Sequence, residues 1–231
     1  MADLLVFSGG APKIAFNRLT PDFERLHGHK VTYVYAITKV LDGRLEAERP
    51  DILVLPTNVL DDYRKAGVVR AEEFGVLGRL GISAIVKKGA RLPDLSSVET
   101  LKAVMLASRR LAMATPGVTP SGTHMGKVLE QLGIAEVMKP KLIHRPALEG
   151  GVGLVEQGEA DLGFYPTSEV IGFAGLTIAG PLPADVQLNT IYGAAVTVFG
   201  KAPDAAMAFI EFMTGSPHRA AWTAAGFDPP A

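Results

Sequence analysis

The sequence predicts an α/β fold divided into two lobes, and three features of the chain carry that expectation. Short apolar runs alternate with amphipathic helical patterns over all 231 residues, the signature of sheets covered by helices. The runs Leu4–Phe7 and Ile52–Leu55 lack polar alternation, as strands do when both their faces are buried. The segment after Gly180-Pro181-Leu182-Pro183 holds one long β-run and a closing helix pair. It is too small for its own core and is expected to return to the first lobe.

Strands are expected at 4–7, 31–35, 52–55, 82–86, 113–115, 162–165, 176–179 and 191–198. Helices are expected at 11–26, 39–48, 58–66, 97–109, 122–132, 150–157 and 203–214, with short ones at 136–139 and 217–225. Strand–helix alternation predicts parallel pairing, in two mixed or parallel sheets. The Gly-rich stretch 75–81 reads as the first crossing between lobes. Lobe 1 is then 1–78 with 186–231, and lobe 2 is 79–185. Two crossings make a hinge, with a cleft between the lobes. Phe16, Phe23, Phe209, Phe212 and Trp222 lie at helical spacing and read as core.

Composition removes several function classes. Lys+Arg is 23 and Asp+Glu is 24, a formal net charge of -1, so no global positive field draws the chain to nucleic acid or anionic lipid. Cysteine is absent, which excludes disulfides, thiolate nucleophiles and Cys-ligated zinc. No apolar run approaches the ~20 residues of a spanning helix. No secretory leader is legible, since Asp3 follows Met1-Ala2 and a strand-like run begins at once. Two readings of location stay open: a cytoplasmic protein, or a periplasmic one whose leader was removed and replaced by Met1.

Catalytic signatures of the GxSxG, HExxH and GxGxxG types do not occur. The stretch Gly122-Thr123-His124-Met125-Gly126-Lys127-Val128 fails as a Walker loop. Its spacing is one residue short, and Val128 stands where Ser or Thr must bind magnesium. His27-Gly28-His29 lacks a third ligand nearby, and Gly28 reads as a left-handed helix cap. No metal and no cofactor are expected.

The positive signal is a set of small or polar turns that each open a helix after a strand. Ser8-Gly9-Gly10-Ala11-Pro12, Thr38-Lys39, Pro120-Ser121-Gly122-Thr123 and Glu149-Gly150-Gly151-Val152 have this character. A helix N-terminus presents free N–H groups and about half a positive charge. Hydroxyls add donors, and glycine lets a ligand approach the backbone. Two such ends on each lobe would form an anion site without formal charge.

The chain resembles type II periplasmic solute-binding proteins of the molybdate-binding kind over nearly its whole length. The resemblance rests on Val6-Phe7-Ser8-Gly9-Gly10, Arg49-Pro50-Asp51-Ile52-Leu53-Val54, Pro120-Ser121-Gly122-Thr123, and the run Val155–Gly163 followed by Tyr165 and Thr167. It implies anion-binding roles for Ser8, Thr38, Gly122 and its neighbours, Val152 and Tyr165. Ile37-Thr38-Lys39 departs from the family's small turn, and Arg79 and Arg145 add cations. Segments at 79–82, 93–94 and 180–183 are similar to the branch that contains aconitate isomerase. A larger, cationic site suits carboxylates through charge-assisted bonds.

The expected ligand-binding set is Ser8, Gly9, Gly10, Thr38, Lys39, Arg79, Ser121, Gly122, Thr123, Gly151, Val152 and Tyr165. The expected function is capture of a small anion, a carboxylate or an oxyanion such as molybdate, by a monomer that delivers it to an ABC transporter permease. The enzymatic alternative is an isomerase of small unsaturated tricarboxylates, with Lys39, Tyr165 and Glu169 as proton donors and acceptors. The effector domain of a transcription regulator is disfavoured, because no helix-turn-helix precedes Leu4.

Overall fold

The computed structural model describes residues 1–145 and 150–230. The chain forms two compact units, Met1–Leu80 with Thr190–Ala231, and Gly81–Asn189.

Unit 1 begins with strand β1 (Asp3–Ser8), helix α1 (Lys13–His27), β2 (Lys30–Tyr35), the short helices α2 (Thr38–Asp42) and α3 (Leu45–Glu48), β3 (Ile52–Pro56), α4 (Thr57–Lys65) and β4 (Val69–Leu80). In unit 2 follow β5 (Ile82–Lys87), α5 (Val98–Ala107), β6 (Leu111–Met113), α6 (Pro120–Gln131), α7 (Ala135–Met138), β7 (Leu142–His144), α8 (Gly151–Gln157), β8 (Leu162–Pro166), α9 (Thr167–Val170) and β9 (Leu176–Pro181). The chain re-enters unit 1 with β10 (Thr190–Thr197), α10 (Pro203–Thr214) and α11 (Arg219–Ala224).

Each unit has one five-stranded mixed sheet, ordered β2-β1-β3-β10-β4 in unit 1 and β7-β6-β8-β5-β9 in unit 2. β1 runs parallel to β2 and β3, but β10 is antiparallel to β3 and β4. β5 is likewise antiparallel to β8 and β9. Both sheets are therefore mixed, one of the two forms expected, and the antiparallel pairings fall at β10 and β5. Each enters its sheet from the other unit or from a direct strand-to-strand connection, without a helical crossover.

The β1 and β3 runs are buried on both faces. Leu4, Val6, Ile52 and Val54 pack with Phe16, Phe23, Phe209 and Trp222, while Phe7, Leu53 and Leu55 pack with Leu41, Leu45 and Leu60. The aromatic core stacks edge to face, with Phe16 and Trp222 centroids 5.6 Å apart. The indole N–H of Trp222 donates to the Met213 carbonyl at 2.8 Å. Gly28 closes α1 with φ +70°. His29 accepts the Ala2 N–H on Nδ1 at 3.1 Å.

The longest departure from the sequence expectation is β4, twelve residues where a Gly-rich crossing was expected. Its glycines are close-packing positions. A Cβ on Gly75 would sit 2.6 Å from Ile210 Cγ2, so α10 lies directly on the strand. A Cβ on Gly193 of β10 would meet the Phe74 ring at 2.5 Å. The unit boundaries fall at Leu80/Gly81 and Asn189/Thr190 rather than 78/79 and 185/186. Gln187 explains the second shift. Its side-chain amide accepts the Ile82 N–H at 2.8 Å and donates to the Ile82 carbonyl at 3.0 Å, holding the 184–187 turn to unit 2. The helix expected at 39–48 is broken at Gly43-Arg44. Three-residue β7 and four-residue α9 were not expected, being too short to show periodicity.

Asp51 joins the ends of unit 1. Its buried carboxylate accepts the Leu5 N–H at 2.9 Å and the Lys201 N–H at 3.1 Å. Replacing it leaves two backbone donors unpaired, so Asp51→Ala should cost about 3 kcal/mol. Urea denaturation checks this as a lower midpoint at unchanged slope.

Candidate functional site

The four expected turns do not contribute equally. In unit 1, Ser8 ends β1 fully buried, and its hydroxyl donates to the Gly9 carbonyl at 2.8 Å. The Gly9 N–H is committed to the Val54 carbonyl at 3.1 Å. A side chain on Gly10 would meet open space. Tyr35 pairs in register with Ser8 across β2 and β1. Its hydroxyl oxygen is buried without a partner among the described residues, and burial pushes the phenol upward. Tyr192 closes the other side, 3.6 Å from where a Cβ on Gly9 would stand.

The cations of unit 1 fall differently from expectation. Lys13, in the first turn of α1, holds its ammonium 5.5 Å above the Tyr35 ring. Thr38 begins α2 half-buried, and exposed Lys39 follows it without an ion-pair partner among the described residues. Arg79 does not stand free. Its guanidinium pairs with Asp228, and its backbone N–H donates to the Asp228 carbonyl at 2.7 Å. Lys13 went unnoticed in the sequence although it directly follows the Ser8–Pro12 turn.

In unit 2, α6 starts at Pro120, two residues before the expected 122. Thr119, not Ser121, caps it, accepting the Gly122 N–H at 3.1 Å. Ser121 lies buried with its hydroxyl 3.2 Å from that of Thr119. Thr123 accepts the Gly117 N–H at 3.0 Å. Gly122 is glycine for packing, because its Cβ would lie 2.7 Å from the Ala114 carbonyl oxygen. The three residues therefore close a helix cap on itself. His124 is tied to the Val186 carbonyl at 2.8 Å.

The other turn of unit 2 is different. Glu149 lies outside the described residues, but Gly150, Gly151 and Val152 open α8. Tyr165 on β8 is fully buried, and its hydroxyl has no partner among the described residues. A Cβ on Gly151 would run into that hydroxyl and into the Arg145 carbonyl. Glycine is thus needed there because the phenol abuts the backbone. Val152 packs fully buried in the same cluster as Tyr165.

Beyond β8, α9 supplies two more polar groups. The Ser168 hydroxyl is buried without a partner among the described residues. Glu169 is mostly buried, and burial lifts its carboxyl to about 7. Glu169 in turn pushes the Tyr165 phenol up, while Arg145 lowers it, with burial the largest cause. The Thr167 hydroxyl, 2.8 Å from that of Ser83, holds α9 to β5. Tyr165, Ser168 and Glu169 lie along one strand-to-helix turn, and among the described residues the two hydroxyls have no hydrogen-bond partner and the acid no ion-pair partner. Ser168 left no trace in the sequence, since only packing makes a serine buried. Among the described residues no group of three His, Asp or Glu side chains could hold a metal.

Residues 4–228 match the family described as bacterial extracellular solute-binding protein. The chain belongs to that family. An aconitate isomerase from Pseudomonas sp is 26% identical over 235 residues, spanning 98% of this chain and 87% of that protein. The molybdate-binding protein ModA of Escherichia coli K12 is 25% identical over 215 residues, spanning 92% and 83%. In structure, the periplasmic molybdate-binding protein of Azotobacter vinelandii superposes with a TM-score of 0.78 at 18% identity, over 99% of this chain and all of that one. The family's two-sheet α/β architecture is the one seen here. Among the described residues no helix is long and apolar enough to cross a membrane.

Two outcomes are expected. Gly151→Ala should cost about 1–3 kcal/mol by forcing the Tyr165 hydroxyl away, and Tyr165→Phe in that background should restore part of it, read by thermal melts. Glu169 has a folded pKa raised above its unfolded value. Its protonation favours the fold at low pH, and that stability is lost as pH rises from about 4.5 through about 7. Glu169→Gln should remove roughly 3 kcal/mol of this pH-dependent loss, measured as wild-type and variant melting profiles across that range.

Proposed function

We propose that this protein is an extracytoplasmic solute-binding protein that captures a small anion, a carboxylate or an oxyanion such as molybdate, for an ABC transporter. The observation that carries the reading is the buried Tyr165 hydroxyl beside Gly151, which has no partner among the described residues, in a chain that matches the solute-binding family along residues 4–228. A fully buried donor without a partner costs free energy that a bound anion would return. The binding set on this reading is Ser8, Gly9, Gly10, Thr38, Lys39, Gly151, Val152 and Tyr165, with Ser121, Gly122 and Thr123 supporting one helix end and Arg79 held by Asp228. Lys13 joins them. The protein acts as a monomer outside the cytoplasm and takes no cofactor. Its partner is the permease.

The cations favour carboxylates over molybdate. Lys13, Lys39 and Arg145 have no carboxylate partner among the described residues, and each can make charge-assisted bonds to carboxylate oxygens. A second reading has a specific observation behind it. Glu169, lifted to about 7 beside Tyr165, is poised as an acid–base group at neutral pH. With a relative named aconitate isomerase, it supports an allylic proton shift on a small unsaturated tricarboxylate.

A thermal-shift panel separates ligands. A bound anion at about 100 times its Kd should add about 2.7 kcal/mol of stability, with di- and tricarboxylates ahead of molybdate. Stabilisation by molybdate or tungstate alone would reverse that order, and no stabilisation by any anion would defeat the anion-binding reading. Tyr165→Phe should weaken binding of whichever anion stabilises the protein. Incubation with cis-aconitate, followed by NMR, distinguishes binder from isomerase. Unchanged cis-aconitate is the expected result. Appearance of the trans isomer that disappears in Glu169→Gln would establish the second reading instead.

A further inference from the structure

We propose that unit 2 carries a second binding site, along one side of α6, that takes a small organic carboxylate with an apolar body. The inference goes beyond the anion-capture reading and does not depend on it.

A cavity of about 440 Å³ opens beside the first two turns of α6, a size within the range of small-molecule sites. Every residue that lines it belongs to unit 2. Thr123, His124 and Lys127 form one wall, with Lys127 four and three positions after the other two, the spacing that places side chains on one helix face. The loop before α6 contributes Val118 and Thr119, and the segment after β9 contributes Leu188. That segment is fixed from two sides. His124 donates from Nε2 to the Val186 carbonyl at 2.8 Å, and the Gln187 amide is bonded to both backbone groups of Ile82.

The donors of this cavity are side chains and not the helix end, whose first N–H groups are already used. The Gly122 N–H goes to the Thr119 hydroxyl and the Thr123 N–H to the Thr119 carbonyl. The Thr123 hydroxyl oxygen accepts the Gly117 N–H at 3.0 Å. A hydroxyl that accepts in this way still has its own proton to give, and Thr123 gives it to no acceptor among the described residues. Lys127 is exposed one turn further along and forms no ion pair among the described residues. No acidic side chain is among the described residues that line the cavity. An ammonium and a hydroxyl proton on one face suit the oxygens of a carboxylate.

The remaining wall is apolar. Val118 is 58% exposed and Leu188 is half-buried, both on the lining. Apolar surface in a concave place releases its water to an apolar ligand. A bare oxyanion would use the donors and leave this wall wet. An uncharged apolar molecule would cover the wall and leave Lys127 without a counter-charge. A ligand with a carboxylate at one end and an apolar body at the other uses both.

The test takes benzoate as the probe, ionised at neutral pH, with inorganic phosphate and benzyl alcohol each carrying half of its chemistry. A proton–nitrogen NMR titration of the intact protein reads place and affinity together. Benzoate should give saturable shifts at residues 117–127 and at Leu188, and the two half-probes should bind there at least about tenfold more weakly. Lys127→Gln should weaken benzoate about tenfold, and Val118→Ser should weaken it while leaving phosphate unaffected. Both positions are exposed, so neither change threatens the fold. Phosphate binding as tightly as benzoate would overturn the apolar half of the ligand, and benzyl alcohol doing so would overturn the carboxylate half. No saturable shift with benzoate, or shifts centred on Gly151 and Tyr165, would overturn the site itself. Anion capture beside Tyr165 is read separately, by the thermal panel and Tyr165→Phe, so either proposal can fail while the other stands.

Discussion

Unit 1 depends on the carboxylate of Asp51. The sheet order places β10, from residues 190–197, between β3 and β4, both from the first 80 residues. Strands separated by so many residues need an anchor that holds their register, because a slip by one residue would reverse every side chain of β10. Asp51 supplies it by accepting from Leu5 on β1 and from Lys201 beyond β10. Thr197 adds to the knot, its hydroxyl bonded to the Pro50 carbonyl and accepting the N–H groups of Phe199 and Gly200. A charged group this deep is tolerated because its oxygens are satisfied by backbone donors. The packing of Phe16, Phe23, Phe209 and Trp222 on the same sheet follows from that register.

Much of this fold was legible in the sequence because burial on both faces leaves a run such as Ile52–Leu55 wholly apolar. The helix ends marked by Gly28 and Gly158 were legible for a similar local reason, since both adopt the left-handed backbone that glycine favours. β4 was not. Its Arg70, Glu72 and Glu73 break the apolar pattern, and its glycines imitate a turn while serving as seats for α10. The direction of β5 and β10 was hidden too, because strand polarity is a property of connections between distant segments and not of any window of residues.

The candidate site divides along the same line. Tyr165 and Gly151 could be named from the sequence, and the structure explains their pairing: the phenol occupies the space that a side chain at 151 would fill. Ser121, Gly122 and Thr123 looked equivalent to them as a polar turn, but Thr119 and the loop at Ala114–Thr115 absorb their donors and their space. Arg79 looked like a free cation until Asp228, 149 positions away, was brought to it. Lys13 directly follows a turn that was legible, and Ser168 became notable only by being buried without a partner among the described residues. What decides a polar residue's availability is which neighbours reach it first, and those are mostly non-local.

The division of the chain has a consequence for how the molecule is made. Unit 2 is a single uninterrupted stretch, Gly81–Asn189, inserted into unit 1. As the chain leaves the ribosome, unit 2 has all its strands once its last residues emerge. β1, β2 and β3 must wait for β10, the strand that lies between β3 and β4. The early half of unit 1 therefore spends the synthesis of more than a hundred residues with the β3 edge unpaired and the Phe16 and Phe23 faces uncovered. Open edges and apolar faces are what nascent-chain chaperones bind and what drives association between unfinished chains. Slowing translation late in the message would lengthen that vulnerable interval, whereas the inserted unit would be unaffected by it.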